Sequence, residues 1–312
     1  MTMTTPSSAP GVLNPLRQTK PRFGESLIKG ILVLAAAVSL FTTFGIVISL
    51  LIPSLEFFAE IPLTEFLLTT TWTPLFADPM YGVLPLVMGT LVITLLAIAV
   101  AIPLGLGSAI YLSEYASPRA RKVLKPTLEV LAGIPTVVFG FFALDFITAY
   151  VLRPIFPQID VFNALSAGLV MGVMIIPTIA SLSEDAMAAV PSGLRDGAYA
   201  LGATKRQTAL RVVIPAALSG IVAAFVLGIS RAIGETMIVT IAAGLQPNMT
   251  LNPLEGMQTM TSYIAAAGSG DLSTGSIEYK SIFAVGLLLF VITFIMNMIS
   301  IRLVRKYRQA YQ

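Results

Sequence analysis

The sequence predicts an all-α polytopic membrane protein with six transmembrane helices. Three observations carry that prediction. Of 312 residues, 56% are hydrophobic and only 11% charged, against about 25% charged in soluble domains. Residues 31–52, 79–113, 161–182 and 281–301 hold no charged side chain at all, and a helix needs roughly 20 apolar residues to cross a bilayer. The basic residues, finally, gather in every second segment between the apolar runs.

Residues 1–24 are rich in Ser, Thr and Pro and read as a disordered cytoplasmic tail. Spans are expected at about 30–52, 83–112, 129–152, 161–185, 215–243 and 280–303. The first is too long for a signal-peptide core and lacks a convincing cleavage site behind it, so it counts as a span. Residues 25–82 comprise this span and an outer segment, 53–82, with Glu56, Glu60, Glu65, Asp78 and Trp72, the only tryptophan. Leu55, Phe57, Phe58, Ile61 and Leu63 give that segment an apolar side, which suits a helix lying at the interface. It serves either as a connector packed on the bundle, the plainer reading, or as a surface for an external partner. Residues 83–305 form the core, and 306–312 a cytoplasmic tail.

Orientation follows from the positive-inside rule. With the N-terminus cytoplasmic, the inner segments hold Arg17, Lys20, Arg22 and Lys29; Arg119, Arg121, Lys122 and Lys125; Arg195, Lys205, Arg206 and Arg211; and Arg302, Arg305, Lys306 and Arg308. These are 16 of the 19 basic residues. Arg153 and Lys280 fall outside, and Arg231 falls within a span. Both termini are thus expected in the cytoplasm.

Pro103, Pro135, Pro177 and Pro215, each preceded by Ile, lie within or at the ends of spans. Proline frees a carbonyl and bends a helix, which suits a cavity, a moving part or a passive bundle. Gly168 and Gly172, four apart, allow close helix approach. The chain has no Cys and no His, which excludes disulfides, Cys/His metal sites and a histidine base; no cofactor is implied. No Gly-Lys dipeptide exists, so there is no Walker A loop. If ATP drives this protein, another chain hydrolyses it.

The segment at 186–215 interrupts the apolar runs with a polar, helix-forming stretch. Pro191 breaks the helix descending from span four. A short helix follows, Gly202 stops it by taking the left-handed conformation, and Thr204 with Gln207 matches a capping box for the next helix. The expected product is two short helices bent at Gly202 and Ala203, leading into Pro215. In span five, Arg231 and Glu235 stand four apart, on one helical face. Charges at membrane depth are expensive and usually face a bundle interior or a watery path. Arg231 sits ~17 Å in from Gly220 at about 1.5 Å per residue, and Asp145 in span three is a possible second partner. The pair either pins helices together or lines an anion path in which Arg231 meets the substrate; the second reading is preferred.

The spacing Asp196-Gly197-Ala198, three residues, Gly202, nine residues, then Val212, Ile214 and Pro215 resembles the EAA loop of ABC-importer permeases. Asp196 stands for Glu, Gly197 for Ala, Val212 for Ile and Ile214 for Leu. Trp72-Thr73-Pro74, Tyr81-Gly82, Gly89-Thr90-Leu91, the run from Ile134 through Gly140, the run from Met174 to Pro177 and the run from Arg231 to Met237 resemble the phosphate-specific PstC family, in order over roughly residues 30–305. The resemblance implies a type I, MetI-like permease fold in the bacterial inner membrane, surrounded by lipid and without a nucleic-acid partner. It implies a sister permease of the PstA type, a PstB-type ATPase dimer that receives the loop as a coupling helix, and an extracytoplasmic phosphate-binding protein. It also implies that Arg231 and Glu235 take part in phosphate passage. Arg231, Glu235 and Asp145 together carry one net negative charge if all are ionised. A protonated carboxyl or arginine from the second permease would restore a positive path, the second being preferred. The alternatives are a permease for sulfate, molybdate or an organic phosphate and, in a different class, an ion-coupled secondary transporter.

Overall fold

The computed structural model describes residues 23–307. The tails expected at 1–24 and 306–312 lie outside them, apart from Phe23, Gly24, Lys306 and Tyr307 at helix ends. The chain divides into two units after Ser49. The described part of the first, residues 23–49, is one uninterrupted apolar helix. That helix, α1 (Phe23–Glu60), is 38 residues long, or roughly 55 Å at 1.5 Å per residue. The hydrocarbon core is about 30 Å thick, so α1 outruns it.

Part of the outer segment is therefore not a separate interfacial helix. Residues 53–60 belong to the end of α1. They are followed by α2 (Leu63–Leu68) and an isolated antiparallel bridge between Trp72 and Tyr81. Phe57, Phe66, Trp72 and Tyr81 are buried together. Their rings meet edge to face, Phe57 and Tyr81 at 5.3 Å and Trp72 and Tyr263 at 4.8 Å. The segment belongs to the second unit and packs there against Met260, Tyr263 and Val285. Burial pushes the Tyr81 phenol up to about 12, with Glu278 and Glu60 adding to the effect.

The centre of the second unit is the pair α3 (Leu84–Ile110) and α6 (Ala164–Ala188). A Cβ on Gly168 would lie 2.5 Å from Leu96 Cβ, one on Gly172 2.8 Å from the Ala97 carbonyl oxygen, and one on Gly105 2.8 Å from Ile179 Cγ2. Position numbers climb together along both helices, so α3 and α6 are parallel. The glycines are what let their backbones touch. Ile93, Ala97, Met171, Met174 and Ile175 fill the seam, joined by Ile238 from a later element.

Between these two helices the chain passes through a π-helical turn (Tyr111–Tyr115), α4 (Pro118–Ala132) and α5 (Thr136–Phe141), which continues as a π-helix (Phe142–Leu152). After α6 come α7 (Ser192–Ala200), α8 (Lys205–Thr208), a π-helical turn (Ala209–Val213), α9 (Ile214–Ala216) and α10 (Leu218–Ile233). The described chain ends with α11 (Met237–Ala242), α12 (Met260–Gly268) and α13 (Ile277–Tyr307). α10 returns antiparallel to α6: Gly220 meets Ala186 near the end of α6, and Gly228 meets Ile179 and Ile175 further up.

Among the described residues, four helical runs are each long and apolar enough to cross a membrane: 24–60, 84–115, 164–188 and 277–302. Six spans result when each of two bent pairs counts as one, Pro118–Ala132 with Thr136–Leu152 at 85° and Lys205–Ala216 with Leu218–Ile233 at 73°. The prolines divide accordingly. Pro103 and Pro177 sit inside unbroken helices, held by neighbours that re-satisfy the backbone. Pro135 and Pro215 flank the sharp bends, at residues 133–135 and at Ala217. Ile214, before Pro215, stays α-helical at φ −60° and ψ −48°, and the second bend falls two residues later, where Ala217 has ψ 2°; at the first, Pro135 is itself extended at ψ 136°.

The fifth span corrects the sequence expectation. It does not run as one helix over 215–243. α10 ends at Ile233, residues 234–236 break it, and α11 follows. Gly244, with φ +87°, then reverses the chain into a non-helical segment. Several of its backbone groups bond inside the protein: Met257 N–H donates to Ala243 O at 2.9 Å, and Thr259 N–H to Ser262 Oγ at 2.8 Å.

Candidate functional site

The segment after α6 forms the two-helix elbow expected from the sequence. Asp196, Gly197 and Ala198 lie in α7, which buries no side chain. Gly202 takes φ +81° with open space around it. Its N–H donates to Tyr199 O at 2.9 Å and that of Ala203 to Ala198 O at 3.0 Å, a helix-closing pattern that needs a left-handed residue at this position. Thr204 and Gln207 complete the reciprocal cap of α8. Val212 and Ile214 are half-buried and Pro215 is exposed. Leu194, Tyr199 and Leu201 are exposed too, Leu201 to 91%, an unusual amount of bare apolar surface for a polar loop.

Sequence reasoning missed what ties this elbow to the bundle. Arg195 of α7 reaches back to three acceptors. It donates to Val190 O at 2.7 Å, to Met187 O at 2.8 Å and to Glu114 Oε1 at 3.1 Å. The carbonyls belong to the C-terminal end of α6, and Glu114 to the π-helical turn that ends the α3 span. A second cluster lies one turn away. Glu184 of α6 is fully buried and pairs with Arg121 and with Lys125, the latter at 2.7 Å; Lys125 also meets Asp185 at 2.8 Å. A buried carboxylate is tolerable only with such partners. In the sequence these residues looked like part of a general basic surplus. Only the fold pairs them with acids 59 to 81 positions away.

Deeper in, Arg231 donates from Nη1 to Thr178 Oγ1 at 2.9 Å. Thr178 follows Pro177 on α6, about 15 Å from the end of that helix. Glu235 does not pair with Arg231; no ion pair joins them among the described residues. The four-residue argument failed because the helix ends between them. Glu235 instead caps α11, its Oε1 accepting from Met237 N–H at 3.0 Å and Ile238 N–H at 3.3 Å. A carboxylate there also meets the positive end of the helix dipole. Its backbone carbonyl accepts the Thr261 hydroxyl at 2.6 Å. Asp145 is exposed on the π-helix after α5 and bonds neither of the other two. Beside Arg231, the Ser230 hydroxyl is buried without a partner among the described residues.

Residues 101–309 match the family of binding-protein-dependent transport system inner membrane components. The chain belongs to this family. The probable ABC transporter permease protein YqgH of Bacillus subtilis is 40% identical over 232 residues, 74% of either chain. The phosphate transport system permease protein PstC of Haemophilus influenzae is 32% identical over 311 residues, covering 91% of this chain and 94% of that protein. PstC 1 of Mycobacterium tuberculosis is 35% identical over 246 residues, 72% and 73% of the two chains. Among solved structures, a bacterial ABC transporter that imports alginate covers 91% of this chain and 97% of its own, with TM-score 0.64 at 14% identity. The MetNI methionine transporter covers 73% and 95%, with TM-score 0.54 at 20% identity. The fold is therefore that of the MetI-like importer permeases, and the chain is a multi-span inner-membrane transport component.

Proposed function

We propose that this chain is the permease subunit of an ATP-driven importer that moves inorganic phosphate into the cytoplasm by alternating access. The observation that carries the reading is the partner of Arg231. A guanidinium held by a carboxylate would present no net charge to an anion. One held by the neutral Thr178 hydroxyl keeps its full charge and its forked donors, which fit phosphate. The Glu235 carboxylate is engaged by two backbone N–H groups and so does not sit on the Arg231 guanidinium; the positive balance of the path still needs arginine from the sister permease. Similarity to PstC proteins, one of them along 91% of this chain, supports phosphate as the cargo. Asp145, exposed in the third span, is the other titratable group of the path.

The chain carries no Walker A loop, so the energy comes from a partner. In this reading a PstB-type ATPase dimer closes on ATP and moves the loop around Asp196, Gly197, Ala198 and Gly202. The bare side chains of Leu194, Tyr199 and Leu201 suit a docking surface of that kind. The motion passes through Val212, Ile214 and Pro215 into α10. A PstA-type sister permease completes the path, and a phosphate-binding protein delivers the ion from outside. The site near Arg231 binds weakly, because a tight site would trap the ion.

The test is uptake by the complex reconstituted with its partners and binding protein, phosphate against sulfate. Arg231→Gln should lower phosphate uptake about 10- to 100-fold, the range expected for losing a hydrogen bond to a charged group, with the complex still assembled. Uptake at the parental rate would refute the anion path. ATP hydrolysis stimulated by sulfate and not by phosphate would refute the cargo.

A further inference from the structure

We propose that Arg195 and Glu114 form the strut through which the coupling elbow moves the α3 span, so that they position the path without touching the cargo. The inference rests on the reading of the elbow as an ATPase-coupled element and adds how its displacement leaves it. Along the chain, α7 connects onward only to α8 and α10. A push on α7 reaches α10 and α6 through the chain itself, but α3, which lies before α4, α5 and α6 in sequence, only across non-covalent contacts. Arg195 supplies a direct one. Its guanidinium spans the end of α6, through the Met187 and Val190 carbonyls, and the end of the α3 span, through Glu114. The ion pair is largely sheltered: the Arg195 side chain is 19% exposed and that of Glu114 5%. The Glu114 oxygen that accepts from Arg195 also accepts the Ser113 hydroxyl at 2.9 Å, which fixes its direction.

The geometry suits transmission better than mere anchoring. α7 buries no side chain, so it lacks the apolar packing that would make it move with the bundle. Three directed, charge-assisted bonds from one planar group are stiff in a way that a surface pair is not. α3 in turn touches α6 along the glycine seam. A displacement delivered at Glu114 therefore moves the parallel pair that carries Thr178, the partner of Arg231.

The experiment compares Arg195→Gln, Glu114→Gln and the double variant in the reconstituted complex with its ATPase subunits and binding protein. The readout is anion moved per ATP hydrolysed. The anion is whichever oxyanion the parent complex carries, phosphate or sulfate, so a wrong cargo and a wrong strut give different failures. The strut predicts that each single variant keeps its ATPase subunits bound and keeps hydrolysing ATP. Anion moved per ATP should fall about tenfold, within the range of coupling carried by single contacts, and the double variant should be no worse than either single one. Glu114→Asp, which keeps the carboxylate, should recover most of the ratio, whereas a variant that merely misfolds would lose hydrolysis and transport together. An unchanged ratio in both single variants, or losses that multiply in the double one, would overturn the strut.

Discussion

A hydroxyl that accepts from a guanidinium fixes its direction and leaves its charge in place. That is the difference between Thr178 and a carboxylate as partner for Arg231, and it makes a testable distinction. Thr178→Val keeps the shape of the side chain and removes the acceptor, leaving a charged donor at membrane depth without its bond. Such a loss is worth about 1.5–3 kcal/mol. We expect radiolabelled phosphate uptake to fall at least about tenfold, with normal amounts of assembled complex. Thr178→Ser, which restores the oxygen, should recover most of the rate; equal uptake by the Val variant would remove Thr178 from the path. The sequence displayed Arg231 and Glu235 plainly, because charges inside an apolar run are conspicuous. It hid Thr178, since a threonine in a span is ordinary and its role depends on a contact 53 positions away. It also misled about Glu235, because helical spacing presumes a helix that in fact ends at Ile233.

At the scale of elements, the α3–α6 seam sets how far the bundle tolerates change. Gly172 faces the Ala97 carbonyl and Val100 Cβ, both 2.8 Å from where its own Cβ would sit. A backbone oxygen cannot swing aside as a side-chain tip can, so Gly172→Leu must push the helices apart. Overpacking of this kind costs about 1–3 kcal/mol. The expected outcome in detergent is a lowered midpoint of thermal unfolding and less assembled complex, while Gly107→Ala, on the partner helix α3 with open space around the glycine, should leave both unchanged. The small-residue spacing at Gly168 and Gly172 was legible in the sequence, and so were the capping box at Thr204 and the stop at Gly202, because each depends on neighbours within a few residues. The bends were only half legible. Four prolines carried the same local signal, yet Pro103 and Pro177 stay within unbroken helices while Pro135 and Pro215 flank bends of 85° and 73°. Surrounding helices decide which freed carbonyls are re-satisfied, and no local pattern records that.

For the molecule as a whole, direction of travel and charge agree. α3 and α6 run parallel and α10 runs against them, as the second, fourth and fifth of six alternating spans must. The ends of α3 and α6 come together where Arg121, Lys125 and Arg195 meet Glu114 and Glu184. The opposite end of α6 is bound by the segment after Gly244: Asp160 N–H donates to Leu254 O, Leu165 N–H to Pro253 O, and Ala164 N–H to Glu255 O. The positive-inside rule predicts that the first end is cytoplasmic, which would put the elbow where an ATPase could reach it. The chain has no native cysteine, so single introduced thiols report on this without background. Ala198→Cys in α7 should resist a membrane-impermeant maleimide on intact cells and react once the membrane is breached. Leu251→Cys, at a side chain 72% exposed in the segment that holds the far end of α6, should react in intact cells. The reverse pattern would invert the protein in its membrane and with it the direction in which the elbow takes its load. Labelling of both sites from outside would break the six-span alternation itself, because α7 and the Leu251 segment sit at opposite ends of one helix.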